Sequence, residues 1–214
     1  MSQLFPKWTN TLPKIALVIT GVGLCLVVFV VWFWFSPYHT DVGYEPEQPV
    51  PFSHELHVGQ LGMDCRYCHT GVETAAVAGV PPTQTCMNCH SAIKADSVHL
   101  AAVQHSWANG KPLPWVRVHK VPDYAYFDHS VHVAAGVSCF DCHGEVHRMK
   151  QVRQVQPLSM HWCLDCHRNS GEHLRPADKV TDPNWVPHAR WEDIAQQKSL
   201  LLHPPIENCS GCHR

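Results

Sequence analysis

Residues 52–69 read FSHELHVGQLGMDCRYCH, and residues 127–143 read FDHSVHVAAGVSCFDCH. Both stretches run Phe, one residue, His, two residues, His, a short spacer, then C-x-x-C-H. The first places Phe52, His54 and His57 ahead of Cys65, Cys68 and His69. The second places Phe127, His129 and His132 ahead of Cys139, Cys142 and His143. Seven residues separate His57 from Cys65, and six separate His132 from Cys139. Each copy is followed by a further C-x-x-C-H, at Cys86, Cys89, His90 and at Cys163, Cys166, His167. A fifth stands at Cys209, Cys212, His213. The chain therefore reads as two repeated units plus one closing motif.

The motif has several readings: a redox dithiol, half a zinc site, a disulfide staple or a covalent haem anchor. Of 11 cysteines, only Cys25 lies outside the five copies. Zinc needs four convergent ligands and has no use for a His directly after every second Cys. A disulfide framework has no use for the His either. Covalent haem uses every position: two thiols add to the porphyrin vinyl groups, and the adjacent His becomes the proximal iron ligand. The expected attachment residues are Cys65, Cys68, Cys86, Cys89, Cys139, Cys142, Cys163, Cys166, Cys209 and Cys212, holding five haem c groups. The expected proximal ligands are His69, His90, His143, His167 and His213.

The 18 histidines exceed what five proximal positions use. Two histidines at i and i+3 on a helical turn point the same way, whereas two ligands of one iron must approach from opposite faces. His54 and His57 therefore serve different irons: His54 its own haem at Cys65/Cys68, and His57 a neighbour. His129 and His132 repeat the arrangement. A fifth distal ligand is needed, and His119 is assigned to the haem at Cys86/Cys89. Met160 and His161 stand as alternatives for a distal position; a thioether would raise that haem's potential. His39, His99, His105, His147, His173, His188 and His203 read as surface or propionate-bonding residues. Arg66, Arg117, Arg148, Arg168 and Arg175 are candidate propionate partners, with surface charge pairing the competing role.

Ile15–Phe35 is a run of 21 residues without a charge, and a hydrocarbon core needs about 20. A cleaved leader has a shorter apolar core and a small-residue exit; this run leaves through Trp32, Trp34, Ser36 and Pro37. It reads as an uncleaved anchor with an outer aromatic belt at Trp32 and Trp34. Lys7 and Lys14 precede it, while Asp41, Glu45 and Glu47 follow. The N-terminus is thus expected to be cytoplasmic and the bulk of the chain outside. Cys25 fits a small apolar position within the span, and Leu24 before it does not suit a lipobox. The expected partition is a cytoplasmic N-terminus over 1–14, an anchor over 15–36, an extended linker over 37–51 and a haem domain over 52–214. Within the last, the two-haem units cover about 52–90 and 127–167, and the fifth haem takes 209–213.

A net charge of −2 with 16% charged residues offers no basic stripe, so nucleic acid is not indicated. Seventeen prolines and scattered short apolar runs argue against a large sheet or bundle. The expected fold is a mainly α and irregular multihaem cytochrome c domain with few or no strands and one N-terminal transmembrane helix.

The stretches PEQPVPFSHELHVGQLGMDCRYCH, PPTQTCMNCHSAI, PWVRVHKVPDYAYFDHSVHV and MHWCLDCHRNSGEHLRP resemble the membrane-anchored pentahaem cytochrome c subunit of bacterial alternative complex III. The repeated units are also similar to multihaem cytochromes of the c3 and c7 type. The first resemblance runs from the anchor to the last motif. It implies a single-pass protein of the bacterial cytoplasmic membrane with its haem domain on the periplasmic side. It further implies an iron–sulfur subunit, multi-span integral subunits that oxidise quinol, and a monohaem cytochrome c or other soluble carrier as acceptor. On that reading the chain transfers electrons and has no catalytic residue of its own. Two other classes are weighed: an anchored multihaem quinol dehydrogenase of the kind feeding nitrite or nitrate reductases, and a multihaem reductase acting on a small substrate. Both need an iron with an open or unusual position, against which the paired histidines weigh.

Overall fold

The computed structural model describes residues 4–188, 190, 191, 193–196 and 207–213. The chain divides into two compact units, Met1–Val42 and Gly43–Arg214. Among the described residues there is no strand, only an isolated bridge between Val137 and Leu174. The mainly helical and irregular fold expected from the proline content is the one observed.

In the first unit, a 3-10 turn Lys7–Thr11 leads into the helix Leu12–Trp34. Pro13 sits in its first turn, where a missing N–H costs nothing. No residue of the helix is buried. It presents apolar side chains on every side, and its 23 residues span roughly 34 Å. It is thus long and apolar enough to cross a membrane. It stops at Phe35, whose N–H reaches Val31 O at 3.2 Å, because Ser36 is extended and Pro37 opens a new turn, Pro37–Thr40.

The second unit is built from short helices, most of them set by the motifs themselves. Asp64, Ser138 and Asn208 each precede the first Cys of a motif and cap its helical turn: Asp64 accepts from Arg66 N, Ser138 from Phe140 N, and Asn208 from Gly211 N. Asp141 returns the favour to Ser138, closing a capping box. The second and fourth motifs lie inside longer helices, Thr83–His90 and Met160–Arg168. Odd and even motifs therefore alternate in their local setting.

The one-residue difference between the repeats has a structural counterpart. His129–Ala135 is an α-helix, capped by Asp128 and ended by Gly136 at φ 98°. The equivalent Glu55–Gln60 is a π-helix, with Leu61 N bonded to Leu56 O. A π-turn absorbs one extra residue without moving what flanks it, so both units deliver their cysteines in the same phase.

The stretch read as an extended linker, 37–51, opens with the short helix Pro37–Thr40 and is extended only from Tyr44 on. Gly43 N bonds to Gln154 O, Gln154 N to Tyr44 O, and Gln151 Nε2 to Glu45 O and Pro46 O. Gln48 pairs reciprocally with the Val116 backbone, and Val50 is buried. Residues 43–51 thus belong to the second unit rather than spacing it away. Its apolar core is small for its length: Val50, Val72, Val103, Phe140, Leu174, Val180 and Ala195 among the described residues.

Candidate haem sites

Each repeat folds into the same aromatic clamp. Phe52 meets His54 edge-on at 4.9 Å and 89°, and lies nearly parallel to His57 at 4.4 Å and 25°. Phe127 meets His129 at 4.8 Å and 88°, and His132 at 4.5 Å and 30°. The wedge fixes both imidazoles by packing and keeps them apart.

Each of the four then faces a histidine of a C-x-x-C-H motif. His54 faces His69 at 6.5 Å between ring centroids, and His129 faces His143 at 6.4 Å, with planes 1° and 10° apart. His57 faces His90 at 6.2 Å and His132 faces His167 at 6.1 Å, with planes crossed by 68° and 52°. Two imidazoles bound trans to one metal, each through a bond of about 2 Å, stand roughly 6 Å apart between centroids. All four gaps fit an iron between the rings. The histidines at i and i+3 diverge to separate partners, as opposite-face ligation demands.

Hydrogen bonding prepares the same nitrogens. His69 Nδ1 donates to Gly79 O at 2.8 Å, His90 Nδ1 to Ile93 O at 2.9 Å, and His213 Nδ1 to Tyr124 O at 3.0 Å. On the distal side, His57 Nδ1 donates to Ser53 O, His129 Nδ1 to Ala76 O, and His132 Nδ1 to Asp128 O. A carbonyl only accepts, so the proton sits on Nδ1 and the Nε2 lone pair is left for a metal. Burial acts in the same sense. It pulls His54 down to about 4, helped by His69 and His57, and His143 to about 3, helped by His119, His129, His69 and His54. His132 is lowered too, first by burial. Neutral imidazole is the ligating form. Donor set, spacing and protonation all fit covalently held haem.

His119 does not stand at the second motif, where the sequence reading put it. His57 already faces His90, while His119 lies 4.3 Å from His143 and edge-on to it. That contact is too close for a metal between the rings. Its Nε2 is buried without a partner, and burial lowers it to about 4. Met160 is 67% exposed and His161 is exposed as well.

Other residues read from the sequence find protein partners. Arg66 bonds to Asp64 and Glu73, Arg148 pairs with Glu145, and Arg168 with Glu207. These three thus make the charge pairs weighed against a propionate role. Arg175 is sandwiched between Phe140 and Trp185 and donates to Asp182 O. His147 is buried edge-on against Phe140 rather than at the surface, and His173 Nδ1 lies 3.6 Å from Asp141. His39 packs on Trp34, and His188 accepts from Trp191 N. His203 lies outside the described residues.

Comparison with known proteins follows the same division. Residues 50–105 match the family model for cytochrome c7 and related cytochrome c, and residues 113–184 match that for cytochrome c552. Both are models of cytochromes c, and each covers less than half of the chain. Each contains one clamp and two attachment motifs, while the fifth motif lies beyond both. The chain is also similar to the menaquinone reductase multihaem cytochrome c subunit of Nitratidesulfovibrio vulgaris, 34% identical over 119 residues. The aligned region is 55% of this chain and 55% of that protein, so the chain spans about half the length of the relative.

Proposed function

We propose that the chain carries electrons through five covalently bound haem c groups, as the cytochrome subunit of a membrane quinol:acceptor oxidoreductase of the alternative complex III type. The observation that carries this reading is the set of four imidazole pairs spaced for one metal each. Iron held on both faces by imidazole has no open position for a substrate, so those sites suit electron transfer rather than bond chemistry. When bound, haem supplies reversible one-electron iron chemistry.

The chain's own residues hold and tune the groups. The cysteines fix each porphyrin edge to a helical turn, and the Phe52 and Phe127 wedges hold two distal imidazoles each. The backbone carbonyls at Gly79, Ile93 and Tyr124 set which nitrogen of the proximal ring meets iron. His213 would bind the fifth iron, with its second ligand still to be drawn from Met160, His161 or a residue beyond those described. No residue is assigned a catalytic role.

The apolar helix supports a single-pass anchor in the bacterial cytoplasmic membrane, with Lys7 and Lys14 on the cytoplasmic side and the haem domain outside. Quinol would then be oxidised in multi-span integral partners, beside an iron–sulfur subunit, and a monohaem cytochrome c or other soluble carrier would accept the electrons. The relative's assignment to a menaquinone reductase supports a quinone-linked membrane complex. The competing reading, a self-sufficient anchored quinol dehydrogenase, gains only from the fifth site, where no second imidazole faces His213 among the described residues.

Mass spectrometry of the denatured chain tests the cofactor count. Five added porphyrins are expected, and four in Cys65→Ala with Cys68→Ala. A bare polypeptide mass would end the proposal. Quinol oxidation by the isolated chain would move the assignment to the self-sufficient dehydrogenase.

A further inference from the structure

Each clamp joins two sites of its own unit. What joins the two units to each other is a different set of contacts, centred on the caps Asp64 and Ser138. One dipeptide holds both. Thr181 Oγ1 donates to Asp64 Oδ2 at 2.8 Å, and Arg66 reaches Thr181 Oγ1 at 3.4 Å. Ser138 Oγ and Cys139 N both donate to Val180 O, at 3.3 and 3.2 Å. Val180 is fully buried and Thr181 is 8% exposed. Cys65 and Cys139, each directly after a cap held by this dipeptide, are consequently brought near one another.

Further contacts tie the same two motifs. Glu55 N bonds to Met149 O, and Gly59 comes so close to His147 O that a Cβ there would stand 2.5 Å from it. His129 N and Ser130 N bond to the carbonyls of Ala76 and Ala75, in the loop after the first motif. At the other end, Arg168 and Glu207 pair at 3.2 Å and link the fourth motif's helix to the residues before the fifth motif. Tyr126 N bonds to Cys212 O at 2.8 Å and His213 Nδ1 donates to Tyr124 O at 3.0 Å, which holds the fifth motif against the residues just before the second clamp.

We propose that the attachment motifs stand in the spatial order second, first, third, fourth, fifth, and that Val180–Thr181 is the clasp setting the first against the third. The inference rests on the five-haem reading and adds the connectivity. Sequence order would instead set the second motif against the third. In the clasped order the motif at Cys86/Cys89 is one end of the series and the motif at Cys209/Cys212 the other.

The test uses the full haem-loaded chain in detergent and the ferric haem-methyl NMR signals, which shift when an adjacent haem is lost. Removing the first site by Cys65→Ser with Cys68→Ser should shift the signals of two remaining sites. Removing the second by Cys86→Ser with Cys89→Ser should shift those of one. The opposite pattern, one for the first and two for the second, overturns the order. Thr181→Val is the milder variant. It should keep the wild-type mass and move the signals of two sites only; an unchanged spectrum overturns the clasp. A wild-type mass short of five porphyrins would refute the five-haem reading, through a different measurement.

Discussion

His57 faces His90 across 6.2 Å, while His54, one turn earlier, faces His69 across 6.5 Å. A single turn beside Phe52 thus supplies one ring to each of two motifs. Losing one histidine should open one iron and leave the other closed. His57→Ala is expected to retain every covalent haem while converting one from low to high spin, seen as a new high-spin signal in the ferric EPR spectrum. A fully low-spin spectrum would remove His57 from the ligand set.

His119 gives the contrasting case. Its ring touches His143 directly at 4.3 Å, so His119→Phe should leave each paired haem low spin. The expected change is confined to the signal of the third site, whose proximal ring loses a neighbour. A new high-spin haem in this variant would reinstate His119 as a ligand.

The pairs fall into two geometries, with planes near parallel at 1° and 10° and crossed at 68° and 52°. Parallel imidazoles add their effects in splitting the iron d orbitals, whereas crossed ones partly cancel. The ferric protein should therefore give two classes of low-spin EPR signal, with the crossed pairs the more anisotropic. One uniform class would contradict the crossed geometry.

Asp64 links a helix cap to the clasp. Its hydrogen bond with Arg66 holds its carboxyl down at about 2, against burial. A carboxyl depressed in the folded state stabilises it above the ordinary carboxylate range, and that contribution fades as pH falls towards 2. Asp64→Asn keeps a capping side chain but loses the ion pair, a cost of roughly 0.5 kcal/mol for a partly exposed pair. Thermal midpoints should be lower than wild type at pH 7 and converge with it near pH 2. A gap that widened in acid would contradict this assignment.

The repeat and the mainly helical, irregular fold class were legible in the chain alone. Those depend on spacing within a few residues: C-x-x-C puts both thiols on one face of a turn, and histidines at i and i+3 cannot clamp one iron. The apolar helix was equally legible, because length and composition suffice to define it. What stayed out of reach was any pairing across long stretches of chain. His119 lies in the chain between the second motif and the second repeat, and place in the chain says nothing about which ring packs opposite which. The role of Arg66 was ambiguous for the same reason, until Asp64, Glu73 and Thr181 were found around it.

It takes the folded chain to show that His57 reaches His90, that residues 43–51 are pinned to the domain, and that Val180 and Thr181 draw the first and third motifs together. A C-x-x-C-H motif is a local property of five residues, whereas the ring that comes to face its His is brought there by packing and hydrogen bonding, and neither leaves a fixed spacing in the chain.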